Sequence, residues 1–319
     1  MKSKILSLLL LLPGVLFAAP PPDLPHGWSE SYVYANGIRI HYYRGAPAPG
    51  KQVILAVHGV MDTGLTWASV GMKLQKNYDL YMLDTRGHGL SDPSNGSEDG
   101  NTLLMDVMAA AKALHLDKPI LMGHSMGAAT VMRIGAEYPD FARAIVMLDP
   151  GIGPHGRAPA GQNGPRPARP AATAPRESSA PGRISITMRG SPETMVAQNN
   201  YSFEDLVAKA HHDNPKWSTM DCRYWAVAIK RYHGPYSDQA WQPMSGAMRT
   251  EDALAKIKVP ALVLKAGADA SAETRQAMQD WVSGFKNVKL VYIDGAHHNL
   301  QRDQPERTVE VLTQFLENL

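Results

Sequence analysis

The sequence Gly-His-Ser-Met-Gly at Gly123–Gly127 decides how this chain folds. An apolar run, 119–122, precedes it, and a stretch compatible with a helix, 128–138, follows it. This context predicts a strand, a sharp turn and a helix, with Ser125 at the apex of the turn. Glycine has no Cβ, so backbone can pass close to the serine on both sides. The free N–H groups at the start of a helix favour negative charge, as a nucleophile attacking a carbonyl requires.

Outward from this turn, short apolar runs alternate with segments of helical periodicity, which predicts a mostly parallel sheet covered by helices on both faces. Before them, two alternating segments flank Asn36-Gly37, the pattern of a tight β-hairpin. The predicted strands are 53–57, 78–83, 120–122, 144–148, 261–264 and 288–293, and the predicted helices are 65–74, 103–114, 128–136, 273–282 and 306–316.

The alternation of strands and helices stops in the middle of the chain. We therefore predict a core domain built from 28–149 and 250–319, and an insertion, 150–249, that forms a helical cap over the sheet. Within the insertion, 153–183 is rich in Pro, Ala, Gly and Arg. Such a composition cannot bury an apolar face, so we expect a flexible segment there.

The first residues have the composition of an export signal. Lys2 and Lys4 precede an apolar run, 5–12, and small residues follow it. The run is too short to span a bilayer comfortably, although a membrane-anchored helix is the alternative. We expect a cleaved signal peptide at 1–19, a periplasmic or secreted protein, and no stable membrane insertion after cleavage. With Cys222 as the one cysteine, no intrachain disulfide forms, which is compatible with either location.

Composition and charge exclude several classes of function. The chain has 319 residues and a formal net charge of +2, which gives no electrostatic basis for binding nucleic acid. It shows neither His and Cys at metal-ligand spacing nor a glycine-rich phosphate loop. We therefore expect no metal and no cofactor, and a small molecule as the partner.

A serine hydroxyl becomes a good nucleophile only when a base accepts its proton, and the base needs an orienting acid. Two histidines compete for the role of base, His297 and His298, in a loop after the last predicted strand. We favour His298, because a histidine just after the final strand is placed to meet a nucleophile at the same sheet edge.

Two aspartates compete for the role of acid, and each follows a predicted strand. Asp269 comes after 261–264, and Asp149 comes directly after 144–148. The order serine, acid, histidine along the chain fits both. We choose Asp269 and keep Asp149 as the alternative acid, since Asp149 could instead brace the chain where it enters the cap.

The oxygen of an attacked carbonyl gains negative charge and needs fixed hydrogen-bond donors. The backbone N–H of Met126, just after the nucleophile, is one candidate. The N–H of Val60, in the loop after the strand 53–57, is the second. Losing one such donor typically costs about 3–4 kcal/mol of transition-state stabilisation.

Together these motifs resemble the α/β-hydrolase fold superfamily, in its group of esterases, lactonases and epoxide-hydrolase-like proteins. The likeness runs from Tyr32 to the C-terminus apart from the Pro-rich segment, and it implies an eight-stranded, mostly parallel sheet flanked by helices with a helical cap. Two details depart from the family pattern: a histidine replaces the second glycine before His298, and Asp269 lies two residues after a glycine rather than three. The matching residues are His58-Gly59, Arg86–Asp92, Gly123–Gly127, Asp269 and His298.

The resemblance also bears on the reaction. Relatives that open epoxides use an aspartate nucleophile, whereas this chain has Ser125, which favours an acyl-enzyme route. We therefore expect a serine hydrolase that cleaves a carboxylic ester or lactone of small to medium, partly apolar structure. The alternatives are a cofactor-free haloperoxidase or perhydrolase, a carbon–carbon hydrolase on the same three residues, and a ligand-binding receptor whose triad is vestigial.

Overall fold

The computed structural model describes residues 23–94, 98–154, 191–245 and 248–319. The expected signal peptide at 1–19 lies outside these residues, and so does the predicted flexible segment 153–183 apart from its first two residues. Within the four described ranges, no helix combines the length and the apolar character needed to cross a membrane.

Eight strands form one sheet in the order β1-β2-β4-β3-β5-β6-β7-β8, which confirms the predicted fold class. The first two strands are antiparallel and are joined at Asn36 and Gly37, whose φ angles of 47° and 80° suit a two-residue hairpin turn. The strands are β1 Ser29–Ala35, β2 Ile38–Arg44, β3 Gln52–Val57, β4 Tyr78–Leu83, β5 Ile120–His124, β6 Ala144–Leu148, β7 Ala261–Ala266 and β8 Val288–Ile293.

Strands β3 to β8 are parallel, so the loops that follow them all leave from one edge of the sheet. At that edge His124 of β5 is opposite Leu148 of β6, which is opposite Leu264 of β7. The segments after β5, β6 and β7 therefore start side by side, and this is where ligands bind in open α/β sheets.

Helices cover both faces of the sheet because each presents an apolar stripe to it. Helices α2, α3, α8 and α9 pack on one face, and α1, α10 and α11 pack on the other. Their bounds are α1 Ala68–Leu74, α2 Thr102–Ala113, α3 Met126–Glu137, α8 Thr250–Lys256, α9 Ala272–Val282, α10 Leu300–Asp303 and α11 Pro305–Leu316, and a 3-10 turn, Gly64–Trp67, precedes α1.

Between β6 and α8 the described residues form four helices, called the inserted helices: α4 Pro192–Gln198, α5 Phe203–Asp213, α6 Thr219–Lys230 and α7 Asp238–Ser245. Helices α5 and α6 pack against each other through buried apolar side chains such as Leu206 and Ile229. Met195 of α4 and Trp241 of α7 share a second cluster with Met126, the residue after the serine. The inserted helices are thus anchored beside the turn that carries Ser125.

Candidate active site

Ser125 lies in a strained turn between β5 and α3. Its φ of 52° and ψ of −112° are unusual for a residue other than glycine. The turn closes only because its flanking residues lack side chains: a Cβ on Gly123 would lie 2.2 Å from the Gly127 carbonyl oxygen, and one on Gly127 would lie 2.1 Å from the Val57 oxygen. The Ser125 N–H donates to the Leu148 carbonyl at 3.0 Å, which fixes the turn to β6.

A cavity of about 190 Å³ is lined by both Ser125 and His298. The inserted helices supply mainly apolar groups to its wall, together with the amide of one glutamine. These residues are Met195, Gln198, Trp225 and Ile229. The structure thus brings the predicted nucleophile and the predicted base to one space large enough for a small molecule.

His298 is held on both its ring and its backbone. Its Nδ1 lies 2.6 Å from Oδ2 of Asp149, with side chains that are 20% and 10% exposed. Because a carboxylate only accepts hydrogen bonds, Nδ1 carries the proton, and in the neutral ring Nε2 is then the nitrogen with the lone pair that a base needs. The His298 carbonyl accepts a hydrogen bond from Nε2 of His124 at 2.8 Å, so the loop is also tied to β5.

Asp149 stands directly after β6 with a φ of 44°. Its second oxygen, Oδ1, accepts from the Lys265 ammonium at 2.7 Å and from the Ala266 N–H at 3.3 Å. Burial raises the pKa of the Asp149 carboxyl, but the hydrogen bond from His298 and the charge of Lys265 outweigh it and bring the pKa below its ordinary value. Asp149 is therefore ionised and oriented toward His298.

The structure does not bring Asp269, the predicted acid, to His298. Asp269 instead pairs with His297, at 3.2 Å between Oδ2 and Nδ1, and the two side chains are 88% and 66% exposed. The reason is topological: Asp269 lies three residues beyond the end of β7, whereas Asp149 follows β6, the strand next to β5. The alternative acid of the sequence analysis is the one that contacts the favoured histidine.

Both predicted oxyanion donors begin helical or turn segments beside the serine. Among the described residues, the N–H groups of Val60 and Met126 donate to no protein acceptor. Val60 lines the cavity. The loop that carries Val60 can pass close to Ser125 because residue 59 is a glycine: a Cβ on Gly59 would lie 3.1 Å from the Ser125 Cβ. Two free N–H groups flanking one nucleophile are the arrangement that stabilises a developing oxyanion.

Three supporting side chains were not identified from the sequence. Lys265 contacts Asp149, His124 contacts the His298 backbone, and Arg302 pairs with Asp62 through two hydrogen bonds of 2.8 and 3.0 Å. The last pair is almost fully buried and joins the loop of Val60 to the helix that follows His298. The sequence feature that could have identified Lys265 is a cation at the end of an apolar strand. No feature of the neighbouring sequence indicates the roles of His124 and Arg302.

Burial also determines the protonation state of His124, whose ring lies beside His298. The pKa of His124 is lowered to about 3, chiefly because burial disfavours the charged imidazolium and also because His298 lies beside it. His124 is consequently a neutral donor that positions the loop. Within the described ranges, no three His, Cys, Asp or Glu side chains are grouped so that they could hold a metal ion.

Comparison with known proteins places this geometry in a family. The model of the alpha/beta hydrolase family matches residues 54–311. The chain is 39% identical over 126 residues to N-formylmaleamate deformylase of Pseudomonas putida, a match that covers 39% of this chain and 46% of the deformylase. It is 21% identical over 282 residues to 2-(acetamidomethylene)succinate hydrolase of Mesorhizobium japonicum, covering 83% of this chain and 88% of that enzyme.

A solved carboxylesterase of Bacillus subtilis superposes with a TM-score of 0.64 at 16% identity, covering 92% of each chain. At that identity the likeness concerns the fold alone. The family match spans most of the chain and includes both the serine turn and the histidine loop, so the protein belongs to the alpha/beta hydrolase family.

Proposed function

We propose that this protein is a serine hydrolase that cleaves a carboxylic ester or lactone through an acyl-enzyme intermediate. The observation that carries the proposal is that Ser125 and His298 line the same cavity, and that His298 is hydrogen-bonded to the buried Asp149. Membership of a hydrolase family supports the reaction class, and the choice of an ester is our inference from the site.

The reaction would proceed in two steps. The Ser125 hydroxyl attacks the carbonyl carbon while Nε2 of His298 takes its proton, and the N–H groups of Val60 and Met126 bind the oxyanion. His298 then protonates the leaving alcohol, which departs as the carbonyl re-forms. Water then attacks the acyl-enzyme while His298 takes its proton, and the imidazolium returns that proton to the Ser125 oxygen as the acid is released. Asp149 stabilises the imidazolium that forms in each step.

The cavity wall suggests the kind of substrate. Met195, Trp225 and Ile229 offer apolar contact surface, and Gln198 offers one amide that could orient a polar substituent. These groups support a small to medium, partly apolar acyl or alcohol part.

Hydrolysis of an acyl–nitrogen bond is the second candidate, because the relative that is 39% identical over 126 residues is named a deformylase of an N-formyl compound. The same nucleophile, base and oxyanion donors serve that reaction if His298 protonates a leaving nitrogen instead of an oxygen. The match covers 46% of the length of that relative.

Labelling with a fluorophosphonate probe, followed by mass spectrometry of the peptides, tests the proposal. We expect covalent modification of Ser125 in the wild type and none in Ser125→Ala. A panel of short aryl esters, lactones and N-formyl amides then separates the two candidates by kcat/KM. Turnover that persists in Ser125→Ala, or a wild type that neither labels nor turns over any of these compounds, would remove the hydrolase proposal.

Export to the periplasm or the medium is a proposal that rests on residues 1–19. N-terminal sequencing of the protein recovered from a fractionated cell expressing the full chain tests it. An intact N-terminus in the cytoplasmic fraction contradicts it.

A further inference from the structure

We propose that Lys265 is a positioning residue of the triad: it holds Asp149 in one orientation and sets the pH range in which His298 acts as a base. This inference rests on the proposed function, since it concerns the same base. It assigns a role to a side chain that lies on β7, the strand from which the sequence led us to expect the acid itself.

The geometry gives Lys265 two anchors. Its ammonium lies 2.7 Å from Oδ1 of Asp149 and donates to the Pro150 carbonyl at 3.0 Å. The carboxylate is therefore bound on one oxygen by Lys265 and on the other by His298. Rotation of the carboxylate would break both bonds, so Lys265 fixes the direction in which Asp149 presents Oδ2.

The contact is shielded from water, which makes the charge effective. The Lys265 and Asp149 side chains are 17% and 10% exposed. An ion pair at that burial is screened much less than one on the surface. The second anchor, Pro150, is the residue after Asp149, so Lys265 also fixes the backbone where β6 leads into the inserted helices.

Other polar and charged groups lie around this cluster and are unchanged in sequence in a Lys265 variant. His124 contacts the His298 carbonyl from β5, and Asp62, held by Arg302, lines the same cavity as His298. On the other side, Tyr292 of β8 carries Arg275 of α9 over its ring at 5.0 Å, with Arg275 paired to Asp294. Among the described groups that contact Asp149, Lys265 is the cation on the oxygen that does not face His298.

The sign of the effect follows from charge. Protonated His298 is stabilised by the negative Asp149 and destabilised by the positive Lys265 nearby. Removing the ammonium makes the imidazolium more stable, so the base stays protonated up to a higher pH. The acid limb of the pH profile then moves upward, by about one pH unit, the usual size of the effect of one neighbouring charge in a partly buried site.

The test measures the rate of Ser125 labelling by a fluorophosphonate between pH 4 and pH 9 in the full chain. The variants are Lys265→Met, which loses the charge, Lys265→Gln, which loses the charge but keeps a donor, and Lys265→Arg, which keeps both. Lys289→Met, at an exposed position of the neighbouring strand β8, is the matched control for loss of one positive charge. Nuclear magnetic resonance of the His298 ring follows its titration without relying on activity.

We expect the acid limb and the His298 titration to move up by about one pH unit in Lys265→Met and Lys265→Gln, and to stay in place in Lys265→Arg and Lys289→Met. Suppose that Lys265→Met and Lys265→Gln label more slowly but the acid limb of their pH profiles does not move. Lys265 would then be a structural residue only, and the inference would be overturned. Labelling of the wild type in the same experiment would leave the hydrolase proposal intact. A wild type that neither labels nor turns over any ester, lactone or N-formyl amide would instead remove the proposed function, and the ring titration would still report on Lys265.

Discussion

Two histidine–aspartate pairs lie side by side in this protein, and they differ in almost every physical respect. His298 and Asp149 are 2.6 Å apart and mostly buried, and His298 lines the cavity of Ser125. His297 and Asp269 are 3.2 Å apart and largely exposed. The two pairs have the same residue types in the same chain order, so burial and fixed partners are what distinguish them.

The largest expected difference in activity is between the variants that replace each of the two histidines by alanine. His298→Ala should lower kcat/KM for the best ester by about 10⁴-fold or more, because the base is lost. His297→Ala should stay within about threefold of the wild type, since an exposed side chain away from the site contributes little. Steady-state hydrolysis by the two variants, each checked for folding by circular dichroism, measures the contrast.

A result in which His297→Ala is the inactive variant would reverse the assignment. Comparable activity in both single variants would mean that one ring can replace the other as the base. The double variant, with both histidines replaced by alanine, would then lose the activity that each single variant keeps.

The aspartates provide the second contrast. Asp149→Asn keeps the shape of the side chain but loses the charge that orients and stabilises the imidazolium, so kcat should fall by about 10⁴-fold with a small change in KM. Asp269→Asn should leave kcat nearly unchanged. The kcat and KM of the two amide variants, measured at the pH optimum, provide the check, and a loss in Asp269→Asn equal to that in Asp149→Asn would restore the acid that the sequence favoured.

The smallest expected effect is on the free energy of unfolding, through histidines that are buried in the fold. Burial lowers the pKa of His124 to about 3 and also lowers the pKa of His58 and His88. In the unfolded chain a histidine has a pKa of about 6.5, so between the two values the unfolded state binds more protons. The stabilisation is complete above about pH 6.5 and is lost as the pH falls below it.

Urea unfolding at pH 7.5, 6.5 and 5.5 measures this dependence. Each buried histidine should contribute a slope of up to about 1.4 kcal/mol per pH unit to the free energy of unfolding. A free energy that does not change between pH 6.5 and pH 5.5 would contradict the neutral, buried state of these rings.

Much of the fold could be predicted because it depends on local patterns. The spacing of apolar residues placed six strands within two residues of their observed bounds, and Asn36-Gly37 predicted the hairpin. The turn at Ser125 followed from its two glycines, since any side chain there would overlap the backbone. The alternation of strands and helices then led to the sheet of mostly parallel strands.

The choice between the two acids could not be made in this way. Asp149 and Asp269 both follow strands that end at the same sheet edge, so the chain order fits either. The distance to His298 depends on which strand lies next to β5 and on how far each loop runs beyond its strand. Those are properties of strand packing and loop path, and no short segment of sequence encodes them.

By itself, then, the sequence determined the strand–turn–helix that carries Ser125, the family resemblance and the set of candidate residues, because glycine sterics and hydrophobic periodicity act within a few residues. Only the tertiary structure decided that Asp149 is bonded to His298, that Lys265 binds the other oxygen of Asp149, and that Asp269 is left with His297 at the surface. These contacts join residues on, or in the loops after, different strands, so they exist only once the sheet has brought the strand ends together.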